Sequence, residues 1–212
     1  MRSTLTALLL MATLGAANPA GGAKTASLDL LARAANPNPT LNSYTASAQL
    51  SALLRAVIPI HKTFSGRVYY LRPNRKIEFT DVPSSLSKFR DLISTTPTYE
   101  QMMAQYTIAP MTDDGTSSSY TLVPKKAGSR VKSVMVTVTD QTALLSKAQW
   151  SYTNGGSLGW QQSYTDVGTY RLPAKAVISA HFPGYSVDGT LTFGNYQPNA
   201  VVSPSVFASP SS

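Results

Sequence analysis

Cysteine is absent from the 212 residues. That removes disulfides, thiolate metal sites, a cysteine nucleophile and a lipid-modified N-terminal cysteine together. Charge is also scarce, with charged residues at 13% against 42% hydrophobic. Acids are rarer than bases, 10 against 18, which leaves a net charge of +8. Histidine occurs only at positions 61 and 181. Neither His61 nor His181 has an acid at a recognisable ligand spacing, so the expectation is no metal and no cofactor. Beyond the N-terminus no apolar run is long enough for a transmembrane helix. What remains is polarity carried by Ser, Thr and Tyr, which suits exposed β-sheet better than a helical bundle.

The N-terminus has the layout of a secretory signal. Arg2 gives a positive start, Leu5 to Leu14 is an apolar stretch too short to span a bilayer, and small residues follow. Cleavage after Ala17 or after Ala23 fits the small-x-small rule, and an N-terminal anchor helix is the alternative. The expected division is a signal peptide at 1–23, one domain at 24–207 and a disordered tail at 208–212. The mature chain is expected to be periplasmic or secreted, and monomeric. Its positive surface favours anionic partners; transient contact with an anionic membrane fits an exported protein, whereas nucleic acid is not expected.

Along the chain, "SLDLLARAANPNP" reads as a short helix capped by Ser27 or Thr25, with Leu28, Leu31 and Ala35 on one face and a stop at Asn36-Pro37. Residues 44–60 suggest a long strand that breaks near Pro59. Residues 64–72 alternate, with Val68, Tyr70 and Arg72 on one face. A strand "KIEFTDV" follows the Pro-Asn turn. The period then changes: Pro83-Ser84-Ser85 starts a helix carrying Leu86, Phe89 and Ile93. After Pro97, the capping pattern Thr98-x-x-Gln101 leads a second helix with Tyr99, Met102, Met103 and Tyr106 toward one side. A loop is expected over 113–119. Beyond it the chain reads as a meander, including "RVKSVMVTVTD" with Val134, Val136 and Val138 on one face. Turns fall at Asn154-Gly155-Gly156 and Pro183-Gly184, and Asp188-Gly189 reads as a turn or a bulge.

The pattern implies a large antiparallel sheet, mainly β, with a few helices that need an apolar surface. A strongly twisted sheet of this size curls, and without closure its concave face is a trough that helices can cover. An apolar trough under a movable lid is a site for a hydrophobic ligand.

Two stretches carry a family resemblance. "GRVYYLRPNRKIEF" is a strand that ends in Arg-Pro-Asn and resumes, and "YTLVPKKAGSRVKSVMVTVTDQTALLSKAQ" is a strand ending in Pro-Lys, a polar turn and a β-branched strand. Together they resemble the outer-membrane lipoprotein carrier (LolA-like) superfamily over most of residues 27–207. The resemblance implies an open, unclosed β-barrel with a helical lid over an apolar cavity, and a carrier of acylated lipoproteins or other lipids in the periplasm. It implies membrane-associated donor and acceptor proteins. The arginine of that family's Arg-Pro-Asn stretch hydrogen-bonds the lid helix backbone and holds the lid closed; here that position is Arg72. The family's usual Asp-Gly turn and aromatic-rich strand are missing after it, where "TDVPSSLSKF" stands instead.

The cargo and lid residues expected on this reading are Arg72, Val68, Tyr70, Tyr99, Met102, Met103, Tyr106, Val134, Val136 and Val138. The valines face either the trough or a packed core. No catalytic residue is expected, and the chain is read as a non-enzyme. "GGSLG" does match G-x-S-x-G, with Asp166 and His181 following in hydrolase order, but a strand rather than a helix follows Ser157. A serine hydrolase centred on Ser157 is therefore a minor alternative, and an envelope-sensing interaction protein of the same fold is the main one. A glycosidase pair depends on a carboxylate separation that sequence does not carry. "TDDGTSSS" lacks the calcium-loop spacing. A transmembrane β-barrel is opposed by the mid-chain helices.

Overall fold

The computed structural model describes residues 25–56, 59–80 and 99–208. The signal-like segment and the helix read from Pro83 lie outside these residues.

The described chain opens with helix α1 (Leu28–Ala35). Three strands follow: β1 (Ser43–Arg55), β2 (Ile60–Leu71) and β3 (Asn74–Phe79). Helix α2 (Tyr99–Gln105) runs straight into β4 (Tyr106–Asp113). Six more strands complete the sheet: β5 (Ser117–Pro124), β6 (Val131–Thr139), β7 (Leu144–Tyr152), β8 (Ser157–Val167), β9 (Tyr170–Phe182) and β10 (Tyr185–Pro198). All ten form one antiparallel sheet in the order β3-β2-β1-β10-β9-β8-β7-β6-β5-β4. β3 and β4 do not pair, so the sheet is open, and it is strongly curved.

Alternation sets its two faces. On β1, Tyr44, Ala46, Ala48 and Leu50 are buried, and their inward row continues across Phe64, Val68, Ile77, Ile178 and Leu191. Ser47, Gln49 and Ser51 point the other way, beside Ser65, Thr63 and Thr190. One apolar cluster lines the inner face of β1–β3 and β7–β10. A second joins α1 and α2 to β5–β7, and Trp150 packs against both.

The Arg-Pro-Asn corner has a simple geometry. Leu71 pairs with Asn74, so Arg72 and Pro73 are the two corner residues of the β2–β3 hairpin. Their peptide bond is cis, the arrangement of a type VI turn. Gly66 is fixed by the same hairpin, because a Cβ there would sit 2.4 Å from the Glu78 carbonyl oxygen.

Several local expectations are corrected. β4 occupies 106–113, where the sequence pattern implies only a helix ending at Tyr106 and a loop from 113, and β5 begins at Ser117 inside that loop. Pro110 hides the β4 pattern; it is tolerated because β4 is an edge strand with a bulge at that point. The buried face of α1 is Leu30 and Leu31, while Leu28 is exposed. Asp188-Gly189 is neither turn nor bulge, since both residues lie in continuous register with Ser179 and Ile178.

Candidate functional site

The inner face is the apolar face of the sheet, and the expected residues distribute over it unevenly. Val68 is fully buried in the larger cluster, and Tyr70 lies half-buried beside it, stacked on Tyr44 with ring centroids 5.0 Å apart. Val134, Val136 and Val138 are packed with Leu30, Leu31 and Tyr120 beneath α1. Tyr99, Met102 and Tyr106 lean on that same cluster, whereas Met103 is turned to solvent. Tyr106 is the first residue of β4 rather than part of the helix. The expected residues thus form two groups, one on β2 and one around α1 and α2.

α1 is seated by polar contacts at both ends. Ser27 caps its start by accepting from the Asp29 amide, and the Tyr120 hydroxyl donates to the Ser27 carbonyl at 2.5 Å. At its exit, residues 36–42 are held by Arg72. The Arg72 Nη2 donates to the carbonyls of Asn38 at 2.7 Å and Leu41 at 2.8 Å, and its backbone amide donates to Asn42. Its Nε is buried without an acceptor among the described residues. The Asn38 side chain binds the Arg171 backbone in both directions, each at 2.9 Å. Among the described residues, then, the Arg72 acceptors belong to the loop leaving α1. A planar guanidinium that donates twice makes that corner a clasp on the helix exit.

Arg72, Arg75 and Lys76 are close in the chain, and the structure separates them. Lys76 faces outward, 2.8 Å from Glu78, and donates to the Val206 carbonyl of a 3-10 turn. Arg75 faces inward opposite Tyr70, 5.4 Å over the Phe193 ring. Tyr44 and Tyr196 join it, their centroids 5.5 Å apart. Burial pushes the Tyr44 and Tyr196 hydroxyls up from the usual phenol range, and the positive Arg75 opposes the rise. Tyr164, whose hydroxyl donates to the Leu145 carbonyl, is pushed up to about 12, again by burial. A two-residue corner at Arg72-Pro73 pairs position 70 with position 75, and cross-strand partners share a face, so the hairpin could have signalled Arg75.

The Ser157 triad does not assemble. Ser157 and His181 are cross-strand neighbours on β8 and β9, yet Asp166 lies nine residues along the same strand from Ser157, about 30 Å at strand rise. Asp166 is ion-paired to Arg171 at 2.5 Å. A serine does meet a histidine elsewhere, Ser51 Oγ with His61 Nε2 at 3.0 Å, but on the exposed outer face, where nothing excludes water. No group of three or more potential metal ligands is found among the described residues. No helix among them is long and apolar enough to cross a membrane.

An open, curved antiparallel sheet with short helices over its inner face defines the LolA-like class of fold. Solved structures place the chain there. An outer membrane lipoprotein-sorting protein domain from Vibrio parahaemolyticus superposes with a TM-score of 0.60 at 11% identity, covering 85% of this chain and 95% of that one. A LolA superfamily protein from Nitrosomonas europaea gives 0.51 at 10% identity over 88% and 99%. A DUF1329 family protein from Desulfovibrio piger gives 0.51 at 12% identity over 85% and 95%. No family model and no curated protein matches the sequence. At these identities the likeness is one of fold.

Proposed function

We propose that the chain is an exported carrier that binds the acyl part of a lipid or lipoprotein on its inner face. One observation carries the reading: the inner face of an unclosed sheet carries two apolar clusters bridged by Trp150, reaching from β3 to β5 and overlaid in part by α1 and α2. Each acyl CH₂ moved from water contributes about 0.8 kcal/mol, so even a short chain supplies the driving force. Release then becomes the harder half of the task. The clasp at Arg72 supplies a control, because α1 must leave its seat before cargo can reach Val134, Val136 and Val138. Met102, which leans on the inner cluster, gives a flexible contact for varied acyl shapes, and membrane-associated donor and acceptor proteins would complete the cycle.

A second reading, an interaction protein of the same fold without cargo, is favoured by a different observation. Leu172, Ile178 and Leu191 are already buried by the protein's own packing. Native mass spectrometry of the mature protein from its own envelope, followed by solvent extraction, separates the two. Bound lipid or acylated protein, lost when Val134 and Val136 are made polar, is the expected result. A clean apo mass with no uptake of offered lipid or acyl-peptide would sink the carrier reading and leave the interaction protein.

A further inference from the structure

Successive hairpins of an antiparallel meander turn at alternate ends of the sheet. One end here carries the β5–β6, β7–β8 and β9–β10 tips, and the other the β4–β5, β6–β7 and β8–β9 tips. The acids of the hairpin tips sort to one of them. The second end holds Asp113, Asp114, Asp140 and Asp166, beside Arg171, which is ion-paired to Asp166, and the β2–β3 hairpin, where Arg72 is bound to the α1 exit and Lys76 to Glu78. The first holds Lys125, Lys126 and Arg130 in one tip and Lys132 just inside β6, all exposed. None of these four has a carboxylate partner among the described residues. Among the described residues, the acids toward this end are Asp188, ion-paired to Arg55, and Glu100 in the first turn of α2.

Aromatic rings complete the same rim. Phe182 lies between Tyr152 and Tyr185, with centroids 5.2 and 5.3 Å apart, and Tyr185 is 45% exposed. The basic and aromatic parts are joined. The Thr153 amide donates to the Arg130 carbonyl at 2.9 Å, and the Phe182 ring lies so close to Gly156 that a Cβ there would meet it at 2.3 Å.

We propose that this rim is a docking surface for an anionic lipid bilayer. Exposed lysine and arginine match a negatively charged headgroup layer, each strengthening attachment about five-fold. Tyrosine beside an apolar ring matches the headgroup level, where amphipathic aromatics collect. The rings favour a bilayer over an acidic protein, which charge alone would not separate. The docking surface stands whatever the inner face holds, and it directs the sheet end bearing α2 toward the membrane.

The test is co-sedimentation of the mature chain, without cargo, with vesicles of phosphatidylethanolamine and phosphatidylglycerol, and with vesicles of phosphatidylcholine alone. Binding is expected to the anionic vesicles only, falling as salt shortens the screening length from about 10 Å at 0.1 M to about 3 Å at 1 M. Joint replacement Lys125→Gln, Lys126→Gln, Arg130→Gln and Lys132→Gln should cut it by roughly a hundred-fold or more. The pair Arg67→Gln and Lys175→Gln, on the outer wall, should leave it intact. Tyr185→Ser should weaken binding without changing its salt slope. Equal binding to both vesicle types, or an equal loss from the outer-wall pair, would overturn the proposal. So would capture by an acidic protein with no vesicle binding. Lipid uptake assayed on the same quadruple variant reports the carrier reading separately.

Discussion

The Arg72 Nη2 serves two carbonyls of one loop, so the side chain acts on helix α1 through the segment that leaves it. Hydrogen bonds from a charged donor contribute about 1.5–3 kcal/mol each when broken, and the two share one nitrogen. Arg72→Leu is therefore expected to cost about 2 kcal/mol in urea unfolding and, on the carrier reading, to shorten cargo retention. Arg72→Lys should recover only part of both, since an ammonium cannot reproduce the planar fork. Unchanged stability and retention in Arg72→Leu would remove the clasp. The tyrosines make a second test at this scale. Tyr164, at about 12, and the raised Tyr44 and Tyr196 stay protonated in the folded state at a pH where the unfolded chain ionises. The folded state then binds more protons, so stability falls as pH rises above about 10. Absorbance titration should show the exposed phenols ionising first and these three only with unfolding; a single smooth wave for all the tyrosines would contradict it.

Among the elements, those with clean periods were legible and those shaped by neighbours were not. The alternation of Val134, Val136 and Val138 placed β6, and Ser27 with Asn36-Pro37 bounded α1. Which side of α1 is buried was misread, because a helix of 8 residues presents several short apolar stripes and the sheet beneath decides among them. Arg72 was legible as a strand-end arginine near a turn, but its acceptors were not, since nothing in residues 36–42 marks them for a distant side chain. β4 was missed because Pro110 breaks the strand signal, and an edge strand can bear it. The seat of α1 gives the prediction for this scale. Leu31 is buried with Val134 and Val136, so Leu31→Ala should cost about 2–5 kcal/mol. Hydrogen exchange should quicken first over α1 and β6. Uniform quickening across the sheet would mean that α1 is no separate lid.

At the scale of the molecule, the decisive contact is the one sequence could least announce. β1 pairs with β10 in a register from Tyr44–Pro198 to Arg55–Ser186, joining strands from opposite ends of the chain. Local turns specify every other neighbour in the meander, but no turn specifies this one. Without this seam β1–β3 would have no place in the sheet. Closing so long a loop adds little entropy beyond closing a shorter one, because the cost grows only with the logarithm of length, so a modest apolar seam suffices. Leu50 and Leu191 face one another across it, both buried. Leu191→Ala is expected to cost about 2–5 kcal/mol. How it is lost tells whether the sheet is one unit. Trp150 belongs to both apolar clusters, and Trp160 lines the larger one. If the clusters act as one core, tryptophan fluorescence and far-UV circular dichroism of Leu191→Ala should shift together to lower urea in a single transition. Two separated transitions would show β1–β3 detaching first, and the inner face would then open at the seam rather than at α1.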